Sequence, residues 1–192
     1  MKLKKCKICK LEFEPRNRFQ LVCGYKCANE YAKLHLKKES DKLQKKQDKQ
    51  LKDKLKTYSQ RVQEARRIFQ QWIRLRDINE PCISCGAVIS ELWDAGHFKK
   101  AEVFSGLIFH EHNCHKQCRK CNRYLNGNEL LYRQNLVRKY CELFVEDLER
   151  IANETRKYKW SNEELETIKS KYKQLIKNQK GFYFKKNQYE KL

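Results

Sequence analysis

From Thr57 onward the apolar residues keep a helical beat. Tyr58, Val62, Ala65, Phe69 and Trp72 recur at alternating spacings of four and three, which places them on one stripe of an amphipathic helix. Thr57 and Gln60 form a capping box at its start. Phe69 and Trp72 belong to the core on this reading, while Arg61, Arg66, Arg67, Arg74 and Arg76 fall on the other faces. The same periodicity over Leu136, Val137, Tyr140, Phe144, Leu148 and Ile151 predicts a second amphipathic helix. Ser161 with Glu164 caps a third, carrying Leu165, Ile168, Tyr172 and Leu175. Upstream there is no proline between Pro15 and Pro81 and no glycine between Gly24 and Gly86, so this stretch lacks the usual helix breakers. From Ala28 to Thr57, however, Leu36, Leu43, Leu51 and Leu55 are too sparse for a core-facing stripe. That segment reads as an exposed charged helix or a partly ordered linker, either a basic arm along a phosphate backbone or a solvated spacer.

Cysteine spacing interrupts the helical pattern twice. Cys6 and Cys9 form a CxxC pair, followed after 13 intervening residues by Cys23 and Cys27. Cys82 and Cys85 form another, closed after 32 intervening residues by Cys118 and Cys121. Paired thiolates of this kind meet the tetrahedral demand of structural zinc, and a closed four-thiolate site has no open position for catalysis. Cys114 and Cys141 are left over and read as buried thiols.

Charge adds a partner. Among 192 residues, 44 Lys and Arg against 24 Asp and Glu leave +20, an excess that favours nucleic acid. The N-terminus MKLKKCKICKLEFEP has no apolar signal-peptide stretch, and no window approaches a membrane span. A cytoplasmic location is expected, and with it metal binding rather than disulfides.

Between the second set of cysteine pairs runs ELWDAGHFKK, a loop at Gly106, and LIFHEHNCHKQCRKCN. The first apolar stretch ends in His97, Leu107 to Phe109 are expected to supply a returning strand, and a short helix is expected near Cys118. Asp94 shares the strand face of Leu92 whereas His97 falls opposite, so a bulge or turn at Gly96 is expected to bring the two together. His110 and His112 read as surface or packing residues.

His97, Asn113 and Asn122, bracketed by two CxxC pairs, resemble an HNH nuclease of the ββα-metal fold in its HNN variant. That resemblance implies His97 as general base, Asn113 orienting its imidazole, and Asn122 with Asp94 holding one Mg²⁺ or Mn²⁺. Many HNH enzymes place the ligand directly before the catalytic His; here that neighbour is Gly96, and His115 is an alternative ligand or phosphate contact. More narrowly, the order of the CKIC finger, the lysine-rich helix, PCISCG, WDAGHF, HKQCRKCN and a GN-containing helix is similar to the phage lambda NinG (Rap) recombination family over nearly the whole chain. The family implies a structure-selective endonuclease acting on branched DNA such as D-loops and Holliday junctions, in the cytoplasm of a phage's bacterial host. A homodimer and phage or host recombination proteins are its candidate partners.

The expected fold is therefore α+β and zinc-stabilised. A four-cysteine finger (1–28) and a lysine-rich helix or linker (29–57) precede an HNH domain with long flanking helices (58–180) and a basic aromatic tail (181–192). The tail suits either stacking on exposed bases or docking onto the body. Expected DNA contacts are Arg66, Arg67, Lys99, Lys100, Lys116, Arg119, Lys120 and Arg123. Two other readings fit the same residues: a non-catalytic zinc-dependent DNA-binding adaptor, and an HNH endonuclease of restriction or packaging type.

Overall fold

Two strands of two residues each open the chain, β1 (Lys4–Lys5) pairing antiparallel with β2 (Glu12–Phe13). They are followed by α1 (Tyr25–Lys54), which buries none of its residues. A computed structural model describes residues 2–189, with side chains through 179. It divides the chain into the units Met1–Lys56 and Thr57–Leu192. No helix among the described residues is long and apolar enough to cross a membrane.

The second unit opens on α2 (Tyr58–Arg76), whose start is held reciprocally: Gln60 N–H donates to the Thr57 hydroxyl, and Thr57 N–H donates to the Gln60 side chain. Its stripe buries Ala65, Phe69, Trp72 and Ile73. Then come β3 (Trp93–His97) and β4 (Cys114–Cys118), paired antiparallel with Asp94 opposite Gln117, Gly96 opposite His115 and His97 opposite Cys114. Helices α3 (Glu129–Tyr140), α4 (Glu142–Glu154) and α5 (Asn162–Tyr189) complete the unit. Ser161 and Glu164 cap α5 as the sequence predicts.

A two-stranded sheet is marginal alone, and here it is covered on both faces. Alternation along the strands sends Ala95 and Cys114 into a core with Phe69 and Trp72 of α2 and Leu165 and Tyr172 of α5. Phe98, just past β3, joins Tyr132 and Leu136 of α3 and Val145 and Leu148 of α4 in a separate core. The end of α2 is locked to β4 by ions as well. Arg76 grips Asp77 through Nε and Nη2 at 2.6 and 2.8 Å and donates to the carbonyls of Glu111 and Cys114, both at 2.9 Å. Lys116 N–H donates to the buried Asp77 at 3.0 Å. Burial works to raise the Asp77 carboxyl, but the Arg76 guanidinium and this N–H hold it below the usual carboxylate range.

Several elements depart from the sequence reading. Leu107 to Phe109 are not the returning strand: a 3-10 turn spans Ser105–Leu107, and all three side chains are buried, Leu107 in one core and Ile108 with Phe109 in the other. β4 begins seven residues later than Leu107, at Cys114. No bulge forms at Gly96, since β3 and β4 stay in regular register throughout. The second predicted helix is two helices, broken at Cys141, whose φ of 108° no helix accepts. Cys141 is exposed at that corner rather than buried, while Cys114 is buried as expected. The tail's aromatic and lysine side chains lie outside the described residues.

Candidate functional site

In each of the two cysteine clusters, Cys6, Cys9, Cys23 and Cys27, and Cys82, Cys85, Cys118 and Cys121, all four sulfurs lie within 4.8 Å of one another. Tetrahedral zinc with Zn–S bonds of about 2.3 Å sets its sulfurs about 3.8 Å apart. The sulfurs of Cys9 and Cys23, and of Cys23 and Cys27, are 3.6 Å apart, and those of Cys85 and Cys118 are 3.8 Å apart. Backbone N–H groups point at the sulfurs, Cys23 at Cys6 (3.4 Å) and Cys118 at Cys82 (3.3 Å), and Asn128 donates to Cys121 at 3.5 Å. On their own, four sulfurs this close resist shared deprotonation. Contacts with Cys27 and Cys9 push Cys23 up to about 12, and burial followed by neighbouring thiols pushes Cys121 up to about 12. A dication relieves that conflict by taking thiolates and releasing protons. Both clusters fit zinc.

The second cluster anchors a cleft. Cys118 ends β4, and Cys121 lies in a single π-type turn, Lys120–Tyr124, that also presents Asn122. Wide turns of this kind concentrate at functional sites. The cleft, about 480 Å³, lies between α2 and this turn. Gln63, Arg66, Arg67, Gln70 and Arg74 of α2 form one wall, Asp94, Ala95 and His97 of β3 contribute, and Lys100, Glu102, Asn122, Arg123 and Asn126 line the rest. Five cationic side chains thus face two carboxylates, giving a cavity that attracts anions.

His97 sits half-buried in the cleft wall as a neutral ring. Its Nε2 lies 2.9 Å from the Ile108 carbonyl, which can only accept, so Nε2 carries the proton and Nδ1 the lone pair. The Cys114 sulfur is 3.9 Å from Nδ1, too far for more than a weak contact. Burial pulls the imidazole down to about 4, against the opposing pull of the Ile108 carbonyl. Asp94 behaves oppositely. Burial works to raise it, but the Asn122 amide at 3.1 Å and the charges of Arg123 and Arg119 hold it below the carboxylate range.

Asn113, expected to orient the imidazole, does not touch it. Its buried amide accepts from Lys99 N–H (2.8 Å) and donates to the carbonyls of Lys99 (3.0 Å) and Leu107 (3.2 Å). Asn113 therefore ties the chain after β3 to the turn before Ile108, and only through that turn does it place the carbonyl that holds His97.

His115 is corrected as well. Tyr132 donates to the Gly96 carbonyl at 3.0 Å, so it accepts from His115 Nδ1 (3.1 Å), and Tyr140 then donates to Nε2 (3.0 Å). Both ring nitrogens are used, and burial lowers the ring to about 3. It is neither a metal ligand nor a phosphate contact.

The expected DNA contacts divide. Arg66, Arg67, Lys100 and Arg123 line the cleft. Lys116 is buried, donating to the Ile78 carbonyl at 2.8 Å with its ammonium 4.4 Å over the Trp93 ring. Lys99 is held between Glu129 and Glu149 at 3.0 and 3.1 Å. Arg119 faces Asp94 from outside the cleft lining, and Lys120 is exposed away from it. His112 packs edge-on against Tyr140 and Phe144, a packing residue as expected.

Sequence reading missed Gln63, Gln70 and Gln117, and named Arg74 only among the arginines on the other faces of α2. Gln63, Gln70 and Arg74 follow from helical spacing alone, since 63, 66, 67, 70 and 74 share one face of α2. Gln117 carries no such signal. Fully buried, it donates to Ser84 Oγ and the Gly127 carbonyl, both at 2.6 Å, while its Oε1 sits 1.9 Å from where a Cβ at Gly96 would be. Glycine at 96 is what lets Gln117 reach under the Asn122 turn.

The model of the family described as "Bacteriophage Lambda NinG protein" matches residues 1–181. Protein ninG of Escherichia phage 933W is 35% identical over 189 residues, covering 91% of this chain and 92% of that protein. Protein ninG of Escherichia phage lambda is 38% identical over 124 residues, 65% of this chain and 59% of its own length. Protein ninG of Enterobacteria phage H19B is 33% identical over 181 residues, covering 87% and 89%. No solved structure matches.

Proposed function

The chain belongs to the bacteriophage NinG family, and on that premise we propose that its cleft is the active site of a metal-dependent HNH-type DNA endonuclease with a ββα-metal core, acting on branched DNA in phage recombination. The observation that carries this is the convergence of a neutral His97, whose Nδ1 lone pair meets only the weak Cys114 contact, with Asp94 and Asn122 in one cavity walled by arginines. β3, β4 and the Lys120–Tyr124 turn supply the strand, strand and helix of that core.

Phosphodiester hydrolysis needs an activated water and a countercharge for the phosphate. His97 takes the proton of the attacking water at Nδ1, while the Ile108 carbonyl, bound at Nε2, fixes the ring and steadies the imidazolium that results. Arg66, Arg67 and Arg74 hold phosphates along α2, with Arg66 kept in place by Glu102 at 2.9 Å. Asp94, ionised, and the carbonyl of Asn122 are oxygen donors suited to one Mg²⁺ or Mn²⁺. Bound there, the cation would supply Lewis-acid stabilisation of the phosphate and leaving oxygen. Zinc in the two cysteine clusters would be structural.

The test is incubation with labelled Holliday junction, D-loop and linear duplex in Mg²⁺, Mn²⁺ or EDTA, beside His97→Ala. Cleavage that needs the cation, prefers branches and vanishes in the variant is the expected result. A second reading, a non-catalytic adaptor, is favoured by the arginines that occupy Asp94; tight binding with no cleavage under any condition would establish it instead.

A further inference from the structure

Asp94 is already occupied by arginine. Its Oδ2 accepts from Asn122 Nδ2 at 3.1 Å and Arg123 Nε at 3.2 Å, and Arg119 Nη2 stands 3.6 Å from Oδ1. A small dication such as Mg²⁺ bonds carboxylate oxygen at about 2.0–2.1 Å, which on Oδ2 brings it close to the Arg123 guanidinium already held there. The two cations repel, so they compete for Asp94.

The two arginines are unequal. Arg119 is about one-third exposed, its Nε is buried, and its backbone N–H is bonded to the Leu92 carbonyl at 3.2 Å. The Arg123 side chain is 61% exposed, with no other ion pair among the described residues. Arg123 is therefore the one free to move. It also lines the same cleft as Arg66 and Arg74, so a guanidinium released from Asp94 stays in the space a DNA phosphate would enter. A phosphate diester can take it bidentately, whereas Asp94 holds it through Nε alone.

We propose that Arg123 is a substrate-operated gate on Asp94: it holds the carboxylate until a DNA phosphate draws it away, and the cation then binds. This rests on the nuclease reading and adds to it an order of assembly. Because linkage is reciprocal, DNA tightens cation binding by the same factor that the cation tightens DNA binding. A gate of this kind keeps the site from loading its cation away from nucleic acid.

The test measures Mn²⁺ binding to the zinc-loaded full-length protein from the electron paramagnetic resonance signal of free Mn²⁺. His97→Ala serves as the background so that DNA stays intact. Binding at the site is defined as the part lost in Asp94→Asn, which also removes Mn²⁺ held by DNA alone. Without DNA, Arg123→Gln is expected to bind Mn²⁺ about tenfold more tightly than its parent, a factor within the usual range of couplings. Lys100→Gln removes an equal charge from the same cleft without touching Asp94, because Lys100 bonds Asn126; it is expected to change affinity less than about twofold. DNA should tighten the parent at least about fivefold and Arg123→Gln less than about twofold. Equal affinities of parent and Arg123→Gln, or equal effects of Arg123→Gln and Lys100→Gln, would overturn the gate and leave the nuclease reading standing. Mn²⁺ binding that is indifferent to Asp94→Asn would overturn both.

Discussion

Cys6, Cys9, Cys23 and Cys27 are held mostly at the surface of a unit whose long helix buries nothing, with Cys6 alone buried. Cys82, Cys85, Cys118 and Cys121 bury three of their four thiols and pack against Ala87 and Trp93 beside the sheet. The donor sets are the same and the local spacings nearly so, yet the consequences differ. The first cluster has only its own two short strands and the start of α1 to organise. The second ties β4 to the turn carrying Asn122, through Cys118 and Cys121, and so joins metal binding to the shape of the cleft. A zinc motif read from spacing says that a knot exists; what the knot holds depends on the elements that pass through it.

That contrast breaks first under cysteine substitution. Cys118→Ser is expected to release one zinc equivalent and lower the melting temperature of the Thr57–Leu192 unit by about 10 °C or more, since structural zinc contributes its binding energy to folding. Cys9→Ser should release the other equivalent and leave that transition within about 2 °C. Metal analysis with calorimetry decides, and equal losses from the two variants would mean that the clusters are not distinct in role. Next in size is the proposed chemistry. On the nuclease reading, His97→Ala should slow cleavage on the order of 10³-fold while DNA affinity stays within about twofold, because a neutral base would act in the chemical step.

The cleft's support is sharper still to probe at Gly96. Gly96→Ala sets a methyl 1.9 Å from Gln117 Oε1, an overlap expected to cost about 2 kcal/mol in denaturant unfolding. Adding Gln117→Ala should recover part of it, and strictly additive losses would show that the two do not collide. The smallest effect is acid sensitivity. His97, half-buried in the cleft wall, and His115, buried, are neutral and drawn down to about 4 and about 3, so the unfolded chain binds more protons than the folded one below about 6.5. Their stabilisation is complete above that value and fades as pH falls toward those lower ones. At pH 5.5, with zinc in excess, the second unit should lose on the order of 1 kcal/mol per histidine relative to pH 7.

Some of the molecule was legible in advance because it is local. The caps at Thr57 and Ser161 involve partners three residues away, and the stripe on α2 is set by helical period. The role of Asn113 rests on the resemblance alone, and no local pattern corrects it. For His115 and Lys116, placing the return strand at Leu107 rather than Cys114 leaves them in a loop before a helix, free to serve the site. In fact His115 and Lys116 are neighbours in β4, pointing to opposite faces, and both are buried because both faces of the ribbon are covered. Reading alternation along a strand presumes one wet face, and this strand has none.

By itself the sequence determined the two sulfur donor sets, the caps, the packed face of α2 and the motif that points to the family, since each is fixed by residues close along the chain or by their type. Only the tertiary structure decided that Asn113 serves the backbone, that His115 is closed between two tyrosines, and which cations reach the cleft. Those outcomes depend on α2, β3 and the turn at Asn122 converging from positions tens of residues apart. That convergence is set by two cores and a cysteine cluster acting together, and no local pattern encodes it.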